Sequence, residues 1–365
     1  MIEKLRSQIA DGRRIMGMGP MSENSVEAIY RYSQEKGCII ELIASRRQVE
    51  CAALGHGYVN NWTTEEFGRH IAAMKGKYPQ SNVLVCRDHG GPWQGTDEAG
   101  MDFAKAMARA KASYESDILS GFDILHIDPS VDGDKSLTLA RTIGAAKELL
   151  SHCHSFAKKH GKQIQFEFGT EENVGKAASS EVFEESLSEV VVHCRKEGMP
   201  PPMFVVGQTG SLVKEMRQVG SCDIKSASAL VKCAGKYGVL LKEHNDDYLS
   251  EYQMSERKEA GIPSMNVAPE LGVIESRVFA DMCMEKARRD LLSSFISLAV
   301  ASGKWKKWMV DERLSSEYDK GLIAGHYVFA KPEFAAMRRE IGGQEFNSRA
   351  QAAIMSRIDF YCRKR

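Results

Sequence analysis

Val83-Leu-Val-Cys-Arg-Asp-His-Gly-Gly-Pro92 sets a short apolar run directly before an Arg-Asp-His exit closed by two glycines and a proline. A brief run that is apolar at every position, without polar alternation, fits a strand buried on both faces, as in a parallel sheet. Working outward, the same unit recurs. Runs rich in β-branched and aliphatic residues lie at Arg14–Met18, Cys38–Ile43, Val83–Cys86, Asp123–Ile127, Gln163–Phe168, Met203–Val206, Val239–Lys242 and Ser264–Ala268, eight in all. Helical patterns lie between them at Ser25–Lys36, at Asp97–Leu119, at Leu137–His160, at Ser180–Glu197 and at Ile224–Lys236. A further one opens at Thr63, where Glu66 completes a capping box, and runs to about Lys77. Strands alternating with helices predict an α/β chain, and eight units predict a closed (β/α)8 TIM barrel. An open doubly wound sheet competes on periodicity alone, but Gly17-Met-Gly19 falls short of the glycine pattern of a dinucleotide fold.

Val278–Ser302 reads as one long helix, the last of the barrel. The expected division is therefore a barrel over 1–302 and a helical C-terminal extension over 303–365. The extension opens with Trp305-Lys-Lys-Trp308 and would pack on the barrel or at a subunit interface, which leaves a homo-oligomer open.

Composition narrows the class of partner. Among 365 residues, Lys+Arg and Asp+Glu both number 49, so no net field favours nucleic acid or a membrane surface. No stretch approaches the roughly 18 consecutive apolar residues of a membrane span. The nine cysteines are scattered without a Cys-x-x-Cys pair, as expected for small core residues in a reducing compartment, and the expected location is cytoplasmic.

In a barrel, chemistry gathers where strands end. The exits here read Arg87-Asp-His89, His126-Ile-Asp128, Glu167 to Glu172, Gly207-Gln-Thr-Gly210, Glu243-His-Asn-Asp-Asp247 and Asn266-Val-Ala-Pro-Glu270. A single acid at such a place also reads as a helix N-cap. His89 and His244 follow buried strands and belong to no amphipathic helix, so with a carboxylate they form a natural divalent-cation site. His126 reads as a packed, hydrogen-bonded layer residue, with Asp128 on the same face and nearer the mouth. His56 and His326, each beside a glycine, read as loop residues.

These exits resemble a known family. Arg87-Asp-His-Gly-Gly-Pro92, Gly121-Phe-Asp-Ile-Leu-His-Ile-Asp-Pro-Ser130, Phe168-Gly-Thr-Glu171, Glu243-His-Asn-Asp-Asp-Tyr248 and Asn266-Val-Ala-Pro-Glu-Leu271 are similar, in order, to its motif blocks. The family is that of the so-called non-catalytic subunits of class II tagatose-bisphosphate aldolase, which includes metal-dependent ketose 4-epimerases. The likeness runs from about residue 38 to 280. It implies a class II aldolase barrel and a divalent metal, zinc first with manganese, cobalt or nickel as alternatives, on His89, Glu171 and His244. Asp88, Asp128 and Glu171 then become the residues for acid–base work. The implied activity is epimerisation of a ketose or sugar phosphate, by aldol cleavage and re-addition or by deprotonation. The alternative is a non-catalytic subunit that stabilises a separate aldolase catalytic subunit.

The chain departs from the family at Ser45-Arg-Arg-Gln-Val49, at Glu172-Asn-Val-Gly-Lys176 and at Gln208-Thr-Gly-Ser-Leu212. Arg46 and Arg47 are expected to grip an anionic group, or else form a solvated pair. Gln208 and Asn266 are expected to touch substrate.

Overall fold

The computed structural model describes residues 2–131, 138–169, 180–311, 313 and 315–363. Its strands are β1 (Ile15–Met18), β2 (Ile39–Ser45), β3 (Asn82–Gly90), β4 (Ile124–Ile127), β5 (Gln165–Phe168), β6 (Phe204–Val206), β7 (Leu240–Glu243) and β8 (Ser264–Val267). They pair in parallel in chain order, and β8 closes on β1. The closed barrel is the one read from the apolar runs, and each run carries its strand.

The first eight helices are α1 (Ile2–Ala10), α2 (Glu23–Lys36), α3 (Thr64–Lys77), α4 (Phe103–Leu119), α5 (Leu139–Lys159), α6 (Ser180–Lys196), α7 (Ile224–Lys236) and α8 (Glu251–Ala260). Thr63 caps α3 with Glu66 answering, as its sequence predicts. No helix was expected between β7 and β8. The helix there, α8, buries only Met254, Arg257 and Ala260, too thin an apolar stripe to stand out in the sequence. Ser250 and Gln253 nonetheless cap it reciprocally.

Four more helices complete the chain: α9 (Pro269–Glu285), α10 (Arg289–Ala301), α11 (Glu317–Ala324) and α12 (Pro332–Cys362). The expected single helix over Val278–Ser302 is broken. The chain turns at Ala287, in the left-handed region at φ 56°, and Phe295 folds back on Phe279 with ring centroids 5.0 Å apart. Tertiary packing of two aromatics sets this corner, and no glycine or proline announces it. Phe334 and Phe346 of α12 join the same cluster. Beyond the left-handed Gly342, α12 lies along α2 and α9, and its Tyr361 reaches the backbone oxygen of Asp246 at 2.9 Å. No helix among the described residues is long and apolar enough to cross a membrane.

Alternation along the strands sorts the side chains. Leu42, Val85, Leu125, Phe166, Leu241 and Val267 face the helices, while Ile15, Leu84, Cys86, Ile124 and Phe204 fill the lower barrel with Leu5 of α1 beneath them. Above this apolar plug lies an ionic layer. Lys242 is fully buried and pairs with Glu41 at 2.6 Å and with Glu167, its ammonium 4.2 Å from the Phe204 ring. The mouth opens directly above.

Candidate metal centre

Asp88, His89, His126 and His244 each offer a ligand atom, and these atoms all lie within 4.8 Å of one another. Three strands supply them. Cys86 and Asp88 point inward on β3, so alternation turns Arg87 outward, where it pairs with Asp117 of α4 at 2.8 Å. His89 should follow Arg87 outward. A register shift between Arg87 and Gly90, with His89 at φ 44°, turns it back over the barrel axis. Bulges re-aim side chains in this way beside active sites. His126 and His244 reach the axis by plain alternation from Ile124 and Lys242.

Each imidazole is held by a second group. Asp128 Oδ2 accepts from His89 Nδ1 at 2.7 Å and is itself fixed by Gln94 Nε2 at 2.8 Å. The His89 backbone N–H donates to His126 Nδ1 at 3.2 Å. Glu167 Oε1 lies 2.9 Å from His244 Nε2, and Lys242 anchors Glu167 from below. Carboxylates behind ligand imidazoles are the usual supporting shell of metal sites. Gly169 leaves room for the His126 ring, since a Cβ there would stand 2.8 Å from Nε2.

The electrostatics fit a cation. Burial alone would raise the Asp88 carboxyl, but the neighbouring imidazoles of His89, His244 and His126 hold it well below the carboxylate range. Burial lowers His89, yet Asp88 and Asp128 outweigh it and push that imidazole up to about 9. Asp88 Oδ1 and His126 Nε2 are buried without a hydrogen-bond partner among the described residues. An unsatisfied buried polar atom costs about 1–3 kcal/mol, which a bound cation would offset. The donor set therefore suits a divalent metal of the zinc, manganese, cobalt or nickel type.

Two of the expected metal residues, His89 and His244, are brought together, with ring centroids 5.2 Å apart. Glu171, expected as ligand and acid–base group, lies outside the described residues. Asp128 sits behind His89. His126 joins the cluster instead of serving as a filler of the barrel layer. The two amides, Gln208 and Asn266, both line a cavity of about 480 Å³ above the cluster. Neither amide atom of the buried Asn266 has a partner among the described residues, and a Cβ on Gly17 would lie 2.0 Å from its Oδ1.

The arginine pair separates. Arg46 is 1% exposed and its guanidinium is taken up by Glu50, Glu98 and the Gly91 carbonyl, at 2.8, 2.6 and 2.8 Å. It braces the exits of β2 and β3 and is not placed to hold a ligand, because inward burial left it needing carboxylates of its own. Arg47 is exposed and lines the cavity. Arg46→Ala strands Glu50 and Glu98. Breaking a buried pair costs about 3–5 kcal/mol, and Arg109 still reaching Glu98 brings the expected loss to about 2–3 kcal/mol. Arg47→Ala should leave thermal unfolding unchanged, so paired melts of the two variants check the division.

Asp247, from the β7 exit, lines the cavity beyond His244. The exits did not foretell the wall of Lys307, Trp308, His326 and Tyr327, which come from the C-terminal segment. His326 is buried at 1% exposure in this wall, not in a free loop.

No protein-family model matches the chain, and no curated protein matches it in sequence. Solved structures do match in fold. A probable tagatose 6-phosphate kinase from Sinorhizobium meliloti 1021 is similar at TM-score 0.80 and 18% identity, covering 96% of this chain and 99% of that one. A fructose-bisphosphate aldolase from Campylobacter jejuni gives TM-score 0.58 at 11% identity over 98% and 91%. The fructuronate–tagaturonate epimerase UxaE from Cohnella laeviribosi gives 0.59 at 11% over 96% and 81%. At these identities the likeness is one of fold, and it fits the aldolase-type barrel that the motif resemblance implies.

Proposed function

We propose that this chain is a divalent-metal-dependent enzyme that epimerises a ketose or ketose-like sugar, phosphorylated or not. The observation that carries the reading is the convergence of Asp88, His89, His126 and His244 at the floor of a substrate-sized cavity. These four would hold the metal, which when bound supplies Lewis-acid polarisation of a sugar carbonyl. The fold is shared with an aldolase and with a sugar-acid epimerase, and both reactions labilise a position near a carbonyl.

The chain's own residues supply the rest. Asn266 and Gln208 present amides to sugar hydroxyls, and the unpaired Asn266 amide is the stronger anchor because nothing competes for it. Asp128 keeps the His89 ring turned to the axis. Asp247 accepts the Ala268 and Glu270 N–H groups at 3.0 and 2.8 Å on Oδ1. Burial, and then the charge of Glu270, pushes this carboxyl up to about 8. A carboxyl raised in this way suits proton transfer at the cavity wall. Glu171 retains the acid–base role that the motif resemblance implies.

Elemental analysis of the purified full-length chain should find a stoichiometric divalent cation. The chain alone should epimerise at least one member of a panel of ketoses, ketose phosphates and keto-acids of sugars. A chelator should abolish that activity and metal should restore it. Activity that needs an added aldolase catalytic subunit, and that survives His89→Ala, would instead identify a stabilising subunit.

A further inference from the structure

We infer that the C-terminal segment builds an anion subsite on the outer wall of this cavity, with Lys307 and Arg47 gripping a phosphate or carboxylate at the substrate end remote from the metal floor. The inference rests on the cavity being a sugar site, as proposed above. Its test does not depend on the metal.

The cavity is electrically divided. The lining carboxylates Asp88 and Asp128 belong to the inner end, next to the imidazoles. Its lining cations, Arg47 and Lys307, come from the β2 exit and from the 306–308 turn. Neither cation has a carboxylate partner among the described residues, whereas Arg46, one residue away, has two. The Lys307 ammonium rests over the rings of Trp308 and Tyr327, at 4.6 and 5.5 Å. Aromatic faces hold a cation without neutralising it, so its charge stays available to a ligand. His326 adds none, because burial and the neighbouring Lys307 push it down to about 3. A molecule spanning the cavity therefore meets a cation-seeking floor at one end and a positive wall at the other.

The wall is also anchored. A small hairpin between β6 and α7 pairs Val213–Lys214 with Arg217–Gln218. Its Glu215 N–H donates to the Trp308 carbonyl at 2.8 Å, and Lys214 Nζ donates to the Lys307 carbonyl at 2.7 Å. Glu215 Oε1 accepts from the Val310 N–H at 3.1 Å. On the other side Tyr58 packs on Tyr327 with centroids 4.6 Å apart. The hairpin thus holds the Lys307 backbone, and Tyr58 the Tyr327 ring under its ammonium, before any ligand arrives, which lowers the ordering cost of binding.

Calorimetric titration of the full-length chain with inorganic phosphate, and separately with D-glucuronate, tests the subsite. At least one should bind, and Arg47→Ala/Lys307→Ala should weaken it by roughly tenfold or more, as expected for losing charge-assisted hydrogen bonds. The titrations use the chelator-treated chain, so that an anion bound to a metal does not contribute. A preference for phosphate assigns a sugar phosphate, and a preference for glucuronate assigns a sugar acid. Equal affinity in the double variant, or no binding of either anion, would overturn the inference. A chain that binds the anion at this wall but holds no metal would sink the proposed function and leave the subsite standing.

Discussion

Asp88→Asn is expected to leave the purified chain with little or no bound metal, its affinity lowered by about a hundredfold or more. The reasoning is electrostatic. Among the described residues Asp88 is the one carboxylate of the candidate ligand set, and it lies among three imidazoles. Asn keeps the shape and one oxygen but removes the charge that balances a divalent cation. A group that only orients a ligand typically changes metal affinity by about 10–100-fold when replaced, so a ligand that also supplies charge belongs at or above the top of that range. Asp128→Asn provides the comparison, because Asp128 touches the site through His89 Nδ1 at 2.7 Å. Its expected loss is about tenfold to a hundredfold, with the cluster otherwise intact. Calorimetric metal titration of both variants, alongside elemental analysis, gives the ranking. If Asp128→Asn proves the more damaging, Asp88 is not a ligand and is free for proton transfer.

The reach of the sequence can be judged residue by residue. Strands were legible because a fully buried parallel strand needs apolar residues on both faces, and eight such runs stand out against the helices. The convergence of His89 and His244 followed from their places after two of those runs. His126 was harder. It precedes the end of β4, so its height on the barrel axis depends on how β4 is staggered against β3. That stagger passes through the bulge between Arg87 and Gly90, which no residue pattern announces. Arg46 and Arg47 look identical in sequence, yet one residue of rotation sends the first into the protein and the second to the cavity. Of the two carboxylates that claim Arg46, Glu98 lies 52 positions away, beyond any local signal. The wall from Lys307 to Tyr327 was hidden for the same reason. Its residues approach the mouth only because α9 and α10 fold back on each other at Ala287.

The ionic layer under the site leads to the other large effect, on stability. Lys242→Met is expected to destabilise the fold by about 3–5 kcal/mol, the usual result of removing one partner from a buried charge set. Lys242 now meets Glu41 and Glu167 at once, and all three side chains are 0–3% exposed. Burial works against the ammonium, but the two carboxylates outweigh it and raise its proton affinity above that of a free lysine. Without it, two buried carboxylates face each other where solvent screens their charge little. Glu41 Oε1 already lacks a partner among the described residues, so this side of the layer has no reserve. The effect should therefore be relieved by removing a negative charge. Lys242→Met/Glu41→Gln is expected to recover roughly half of the loss, since the remaining Glu167 keeps His244 as a partner. Denaturant melts in chelating buffer, for the wild type and both variants, isolate this term from any metal contribution. A double variant no more stable than Lys242→Met alone would mean that the lysine acts through packing on Phe204, and that its charge is incidental.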